Sequence, residues 1–265
     1  MKNGFGIFLA AFIALGVSWC GFVLAPVMQL GTAKQAAVLN SSDIYPLQRT
    51  GDASLGLQVY RANGCAACHT EQVRQDGAAC EVVLTSTGKN PAGVSNLVST
   101  LKLTGLTRDE ADAVAGKITA AGGNVETHIV PVGGDIARGW GWRQTVAADF
   151  LYDYPVQIGS LRAGPDLSNI GVRDPDLNWQ LVHLYAPQAL VKNSAMPPFR
   201  FLFEVRKIGD APSPEALQFP KDFVPPAGCE VVPTPEAKQL AAYLSSLRAD
   251  APLYEAPFTP VMTKP

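Results

Sequence analysis

Between residues 4 and 30 no charged side chain interrupts the chain, and residues 6–15 and 17–27 are apolar almost throughout. A run of that length reaches the roughly 20 residues that a helix needs to cross a bilayer. Residues 1–33 are therefore read as a membrane anchor. Gly31-Thr32-Ala33 offers a small-residue cleavage site, but the apolar core of a signal peptide runs only about 7–15 residues, which favours an uncleaved helix. Lipidation of Cys20 is disfavoured because Trp19 puts a large ring where a small residue is expected. A polar linker follows over 34–52, broken by Pro46. From Ala53 the pattern becomes helical, with Leu55, Leu57, Val59 and Tyr60 leading into the motif as a short amphipathic helix, and Gly64 fits a helix-ending C′ position. Near the other end Thr234-Pro235-Glu236 combines an N-cap, a proline at the first helical position and an acid in the first turn. Leu240, Tyr243, Leu244 and Leu247 then share a face that is expected to pack on the helix before Cys65. Residues 251–265 read as a Pro-rich tail.

Composition narrows the class of protein. With 265 residues, 47% hydrophobic and 17% charged positions, the chain suits a globular body carrying a membrane segment, and a net charge of −2 gives no reason to expect nucleic acid. Cys65-Ala66-Ala67-Cys68-His69 is a C-x-x-C-H run, the attachment signature of a c-type haem. Its thiols bond to the haem vinyl groups and its imidazole takes one axial position on the iron. A zinc site is the competing reading, but no second C-x-x-C or H-x-x-x-H half-site completes a cage. One covalently attached haem c is expected, on the far side of the cytoplasmic membrane, where Cys80 and Cys229 have the option of forming a disulfide. For the opposite iron ligand, Met1 and Met28 belong to the anchor and Met262 to the tail, leaving Met196 in the Pro-stiffened Asn193–Phe199 loop. His128 and His183 are its rivals.

The motif, Gly164-Pro165-Asp166-Leu167 and Ala242-Tyr243-Leu244-Ser245-Ser246-Leu247 together resemble class I cytochromes c. The resemblance implies a mainly α fold in which the Pro165 carbonyl accepts a hydrogen bond from His69. A closer likeness runs from Asp135 to Phe203, through Gly139-Trp140-Gly141-Trp142-Arg143, Tyr152-Asp153-Tyr154-Pro155, Gly159-Ser160-Leu161-Arg162 and Ser194-Ala195-Met196-Pro197. In that order, behind a membrane anchor, these blocks resemble the monohaem cytochrome c subunit of cbb-type haem-copper oxidases. The resemblance implies a cytochrome c domain over 53–76 and 134–250, with His69 and Met196 on the iron. Such a subunit takes electrons from another cytochrome c, passes them to the catalytic haem-copper subunit, and is not catalytic alone. Arg162 is a candidate partner for a haem propionate. Trp140 and Trp142 are candidates for haem packing, or for a docking surface with Arg138 and Arg143, with at least one of the two expected in the core. A tethered cytochrome serving a nitric oxide reductase and a haem sensor are the alternative functions.

Residues 77–133 depart from that pattern. Residues 81–84 and 125–130 read as strands, and 93–103 and 107–118 as helices, the second opened by a Thr-x-x-Glu capping box. The result is a small α+β insert expected to lean on the cytochrome core, with partner contact or assembly as its expected role. Its Gly-Leu-Thr-x-x-Glu-Ala segment faintly resembles the C-terminal domain of the bacterial ribosomal stalk protein, with no ribosomal function implied.

Overall fold

The computed structural model describes residues 4–31, 34–223 and 225–258, so the cleavage-site residues Thr32 and Ala33 and the tail methionine Met262 lie outside the described residues. Helices α1 (Gly4–Trp19) and α2 (Ala25–Leu30) join through a π turn at Cys20–Leu24 into one apolar span. Pro26 explains the π turn. A proline cannot donate to the preceding turn and crowds its carbonyl, and one wider turn relieves both. The span covers 26 residues from Gly4 to Gln29 at a mean hydropathy of 2.4, with none of it buried in the protein, which is long and apolar enough to cross a membrane.

The linker is more structured than its composition suggests. Strands β1 (Ala36–Ala37) and β2 (Ile44–Tyr45) pair as a short hairpin, and the Leu39 amide donates to Pro252 O at 2.9 Å. The described part of the Pro-rich 251–265 segment packs on the domain: Leu253, Ala256 and Phe258 are buried, spaced between exposed positions so that each packs inward.

Helix α3 (Gly51–Ala62) leads into the C-x-x-C-H turn, and it crosses the last helix of the chain at Gly56. A Cβ at Gly56 would lie 1.9 Å from Gln239 O, so only glycine lets the two backbones touch. One turn further on, the Tyr60 and Tyr243 rings meet at 5.1 Å. This crossing anchors a core that also includes Leu181, Val182, Leu184, Leu240 and Leu244.

Next come β3 (Gly77–Ser86), α4 (Pro91–Thr100), α5 (Arg108–Ala120) and β4 (Asn124–Val132), the strand, two helices and strand expected of the insert. The strands pair antiparallel, with Cys80, Val82 and Leu84 on one face opposite Ile129, Thr127 and Val125. That face meets the helices, and the unit owns a separate core of Cys80, Val82, Val94, Leu106, Ala111 and Ile118. The capping box forms as expected, with Thr107 Oγ1 accepting from Glu110 N and the Thr107 amide donating back to Glu110.

The chain then returns through α6 (Gly134–Ala137), α7 (Ile170–Arg173), α8 (Leu177–Tyr185), α9 (Pro187–Leu190), the antiparallel pair β5 (Phe203–Lys207) and β6 (Cys229–Pro233), and α10 (Pro235–Ser246). Thr234 caps α10 through Ala237 N, and Leu240, Tyr243, Leu244 and Leu247 are buried as the helical pattern predicts. The β5–β6 hairpin has no counterpart in the sequence reading. Cys80, in the insert core, and Cys229, at the start of β6, are both free thiols, so no disulfide joins them.

Candidate functional site

Helix α3 ends at Asn63, Gly64 follows with φ 66°, and Cys65–Ala67 close a 3-10 turn. The left-handed glycine swings the chain off the helix axis, so both cysteines and His69 emerge within one turn. Cys68 is exposed, while burial pushes the half-buried Cys65 thiol up to about 11.

His69 Nδ1 lies 2.8 Å from Pro165 O. A carbonyl only accepts, so the proton of the neutral ring sits on Nδ1 and the Nε2 lone pair is free to bind a metal. Burial lowers the His69 pKa, the Pro165 bond works against that, and the net effect favours the neutral ring. The ring is held from behind by Gly164, where an added Cβ would lie 2.2 Å from His69 Cε1. The Gly164 amide also donates to Cys68 O at 2.9 Å. Below the turn, the fully buried Asp166 accepts from Thr70 Oγ1 (2.6 Å), the Gln72 amide (2.7 Å) and the Ser168 amide (2.9 Å). Asp166 thus ties the G-P-D-L segment to the strand of chain leaving His69. These contacts fit a haem at this place: an imidazole with a free Nε2, two adjacent thiols, and a glycine-backed slot for the ring.

Met196 is half-buried and packs on the same core cluster that Cys65 touches. Gln188 Nε2 donates to Ser194 O (2.9 Å) and Met196 O (3.3 Å), so the methionine loop is pinned from α9. His183 stacks on Trp179 with centroids 4.8 Å apart and planes within 5°. Its Nδ1 is buried without a partner among the described residues, and burial lowers the ring to about 4. His128 lies in β4 of the insert beside Glu126.

Arg162 is occupied by protein partners. Its Nη1 donates to both oxygens of Asp135 (2.6 and 2.7 Å) and its Nη2 to Gln72 O, while Nε is buried without a partner among the described residues. Asp135 also accepts from the Arg74 amide at 2.8 Å. Burial alone would raise the Asp135 carboxyl; the Arg162 and Arg74 bonds outweigh it and hold it below the ordinary range. Arg138 and Arg162 stand over the half-buried Trp140 ring at 5.0 and 5.6 Å. Trp142 is exposed against Phe258, so neither tryptophan enters the core. Arg143 is 1% exposed and bonded to Asp149 at 2.8 and 3.0 Å, which removes it from any docking surface. Burying a guanidinium is costly, and the Asp149 carboxylate together with the Gln144 and Ala251 carbonyls offsets that cost by satisfying its donors.

Three contributors escaped the sequence reading: Asp135, Glu71 and the inward role of Asp166. Tyr243 Oη donates to the buried Glu71 carboxylate at 2.9 Å, and burial pushes Glu71 up to about 8 against the lowering pull of that bond. Asp166 follows Pro165 in the quoted motif, but no signal tells an inward acid from an exposed one.

Residues 128–217 match the family model described as cytochrome C oxidase, mono-heme subunit/FixO. The matched span holds Trp140, Gly164-Pro165, His183 and Met196, and the C-x-x-C-H turn lies before it. No curated protein matches the chain.

Proposed function

We propose that this chain, an electron-transfer subunit of the cytochrome c oxidase mono-haem family, carries its haem through thioether bonds at Cys65 and Cys68, with His69 and Met196 on the iron. The observation that carries the assignment is the 2.8 Å bond from His69 Nδ1 to Pro165 O, which fixes the tautomer and raises the basicity of Nε2 toward a metal. The haem would supply a one-electron couple there, which a thioether ligand from Met196 would shift toward the reduced form. The rest is done by the chain: Pro165 orients the ring, Gly164 makes room for it, and Asp166 holds the two segments together. The domain built on the α3–α10 crossing is read as a class I cytochrome c domain over 53–76 and 134–250. Held by both His69 and Met196, the haem iron would bind no oxygen, and the subunit would serve as a relay from another cytochrome c to the catalytic haem-copper subunit. The apolar helix holds it in the membrane. We read the haem domain as lying on the extracytoplasmic side of the cytoplasmic membrane, the side on which a covalently attached haem c is expected.

Purification in mild detergent, followed by identification of the co-purifying large subunit, tests the reading. A haem-copper subunit supports it. A nitric oxide reductase large subunit in its place, or a reduced spectrum altered by carbon monoxide, refutes it.

A further inference from the structure

We propose that the exposed strip Tyr152, Tyr154, Val156, Ile158 and Leu161 is the surface by which this subunit docks on the membrane-embedded catalytic subunit. The inference rests on the oxidase reading above and adds the place of contact.

The strip is inverted relative to a free surface. Along this irregular segment Asp153 and Gln157 are buried, while Tyr152, Tyr154, Pro155, Val156 and Ile158 are exposed. Tyr154 is 93% and Leu161 63% exposed. A row of apolar side chains outside with polar ones inside is what a covered interface leaves behind when its partner is absent.

Its position is tied to the redox site. Ile158 O accepts from the Glu71 amide (3.1 Å), Ser160 N donates to Ala66 O (3.1 Å) and Gly164 N to Cys68 O (2.9 Å). The strip therefore rims the turn that bears both thiols, so a partner seated on it stands beside the group that exchanges electrons.

Two observations select the occupant. Asp153 is the sole charged residue from 150 to 161, and Arg49 neutralises it in an ion pair. A diffusing donor is steered and oriented by complementary charge, whereas an uncharged apolar surface suits a partner that stays bound. Arg49 also bonds Ser246 Oγ and belongs to the 34–50 connector between the apolar helix and α3, so the strip abuts the segment that ties this domain to that helix. A membrane-embedded partner meets the domain on this side.

The test uses the full chain co-expressed with the catalytic subunit, comparing wild type, Val156→Asp/Ile158→Asp and Tyr154→Ser. The last variant alters a side chain open to water on nearly every side, so it leaves folding alone. The expected result is haem attachment and a reduced spectrum as in wild type, with about tenfold less catalytic subunit retained in the double variant and a smaller loss in Tyr154→Ser. Wild-type retention in both variants overturns the proposal. So does loss of the haem, which makes the strip part of the haem lining, and so does an intact complex whose reduction by a soluble cytochrome alone slows. A wild-type chain that retains no haem-copper subunit overturns the oxidase reading, and the docking surface with it.

Discussion

Gly164→Ala is the sharpest single perturbation of the site. The φ of Gly164 lies outside the left-handed region, so alanine is conformationally acceptable and the whole effect is steric. The new methyl would lie 2.2 Å from His69 Cε1, 2.7 Å from Nδ1 and 2.9 Å from Nε2. Carbon atoms settle near 3.5 Å, so the ring must retreat by about 1.3 Å. Backbone retreat of residue 164 is opposed by its own 2.9 Å bond to Cys68 O. A shift of that size stretches the 2.8 Å bond to Pro165 O past useful length, at a cost of about 1 kcal/mol, and turns Nε2 away from its direction. The expected outcome is a chain that folds around the intact α3–α10 crossing but loses low-spin haem. Haem staining after denaturing electrophoresis reads covalent attachment, and the reduced spectrum with added carbon monoxide reads an opened iron. A Gly164→Ala protein with the wild-type spectrum, potential and carbon monoxide inertness would refute the reasoning that His69 is seated by this contact.

Met196→Ala is expected to lower the haem potential and admit carbon monoxide, as read by redox titration and difference spectroscopy; an unchanged spectrum removes Met196 as the ligand. Asp135→Asn strips the charge partner from Arg162, whose side chain is mostly buried, and is expected to cost about 2 kcal/mol at neutral pH in denaturant unfolding. Because the Asp135 carboxyl is held below its ordinary 3.8, its contribution is complete above that pH and drains away as the pH falls through the depressed value. Wild-type and Asp135→Asn stabilities should therefore converge in acid, and a gap that stays constant with pH contradicts the assignment. Thr107→Ala removes the α5 cap and should cost about 1 kcal/mol, seen as faster amide exchange in α5 with no change in the haem spectrum.

What the sequence disclosed was set by local pattern. The capped helices, Gly64, the Leu240–Leu247 stripe and the insert's strand-helix-helix-strand order each depend on residues a few positions apart, and the structure shows all of them. The anchor depended on length and apolarity alone. Contacts between distant segments stayed hidden. The Arg162–Asp135 pair spans 27 positions and the Tyr243–Glu71 bond 172, and nothing in either neighbourhood announces the partner. The buried Arg143 reads as a surface cation until Asp149 folds over it. The β5–β6 hairpin joins two five-residue strands across a long loop, too short and too far apart to show as a pair. Leu253 and Phe258 escaped notice because prolines around them resemble a tail, though each finds a place in the core.

The insert joins the rest of the chain through one doorway. Gly77 pairs with Val132 across the base of β3 and β4, and the Asp76 amide donates to Val132 O at 2.8 Å. Seen from the surrounding domain, everything between Asp76 and Gly133 occupies the place of a single tight turn, because its two ends are already neighbours. Closing it costs the host almost no chain entropy beyond that of a short loop. The insert can lengthen, shrink or change its outer face during evolution while the segments on either side keep their register, much as a branch can be grafted or pruned without moving the trunk.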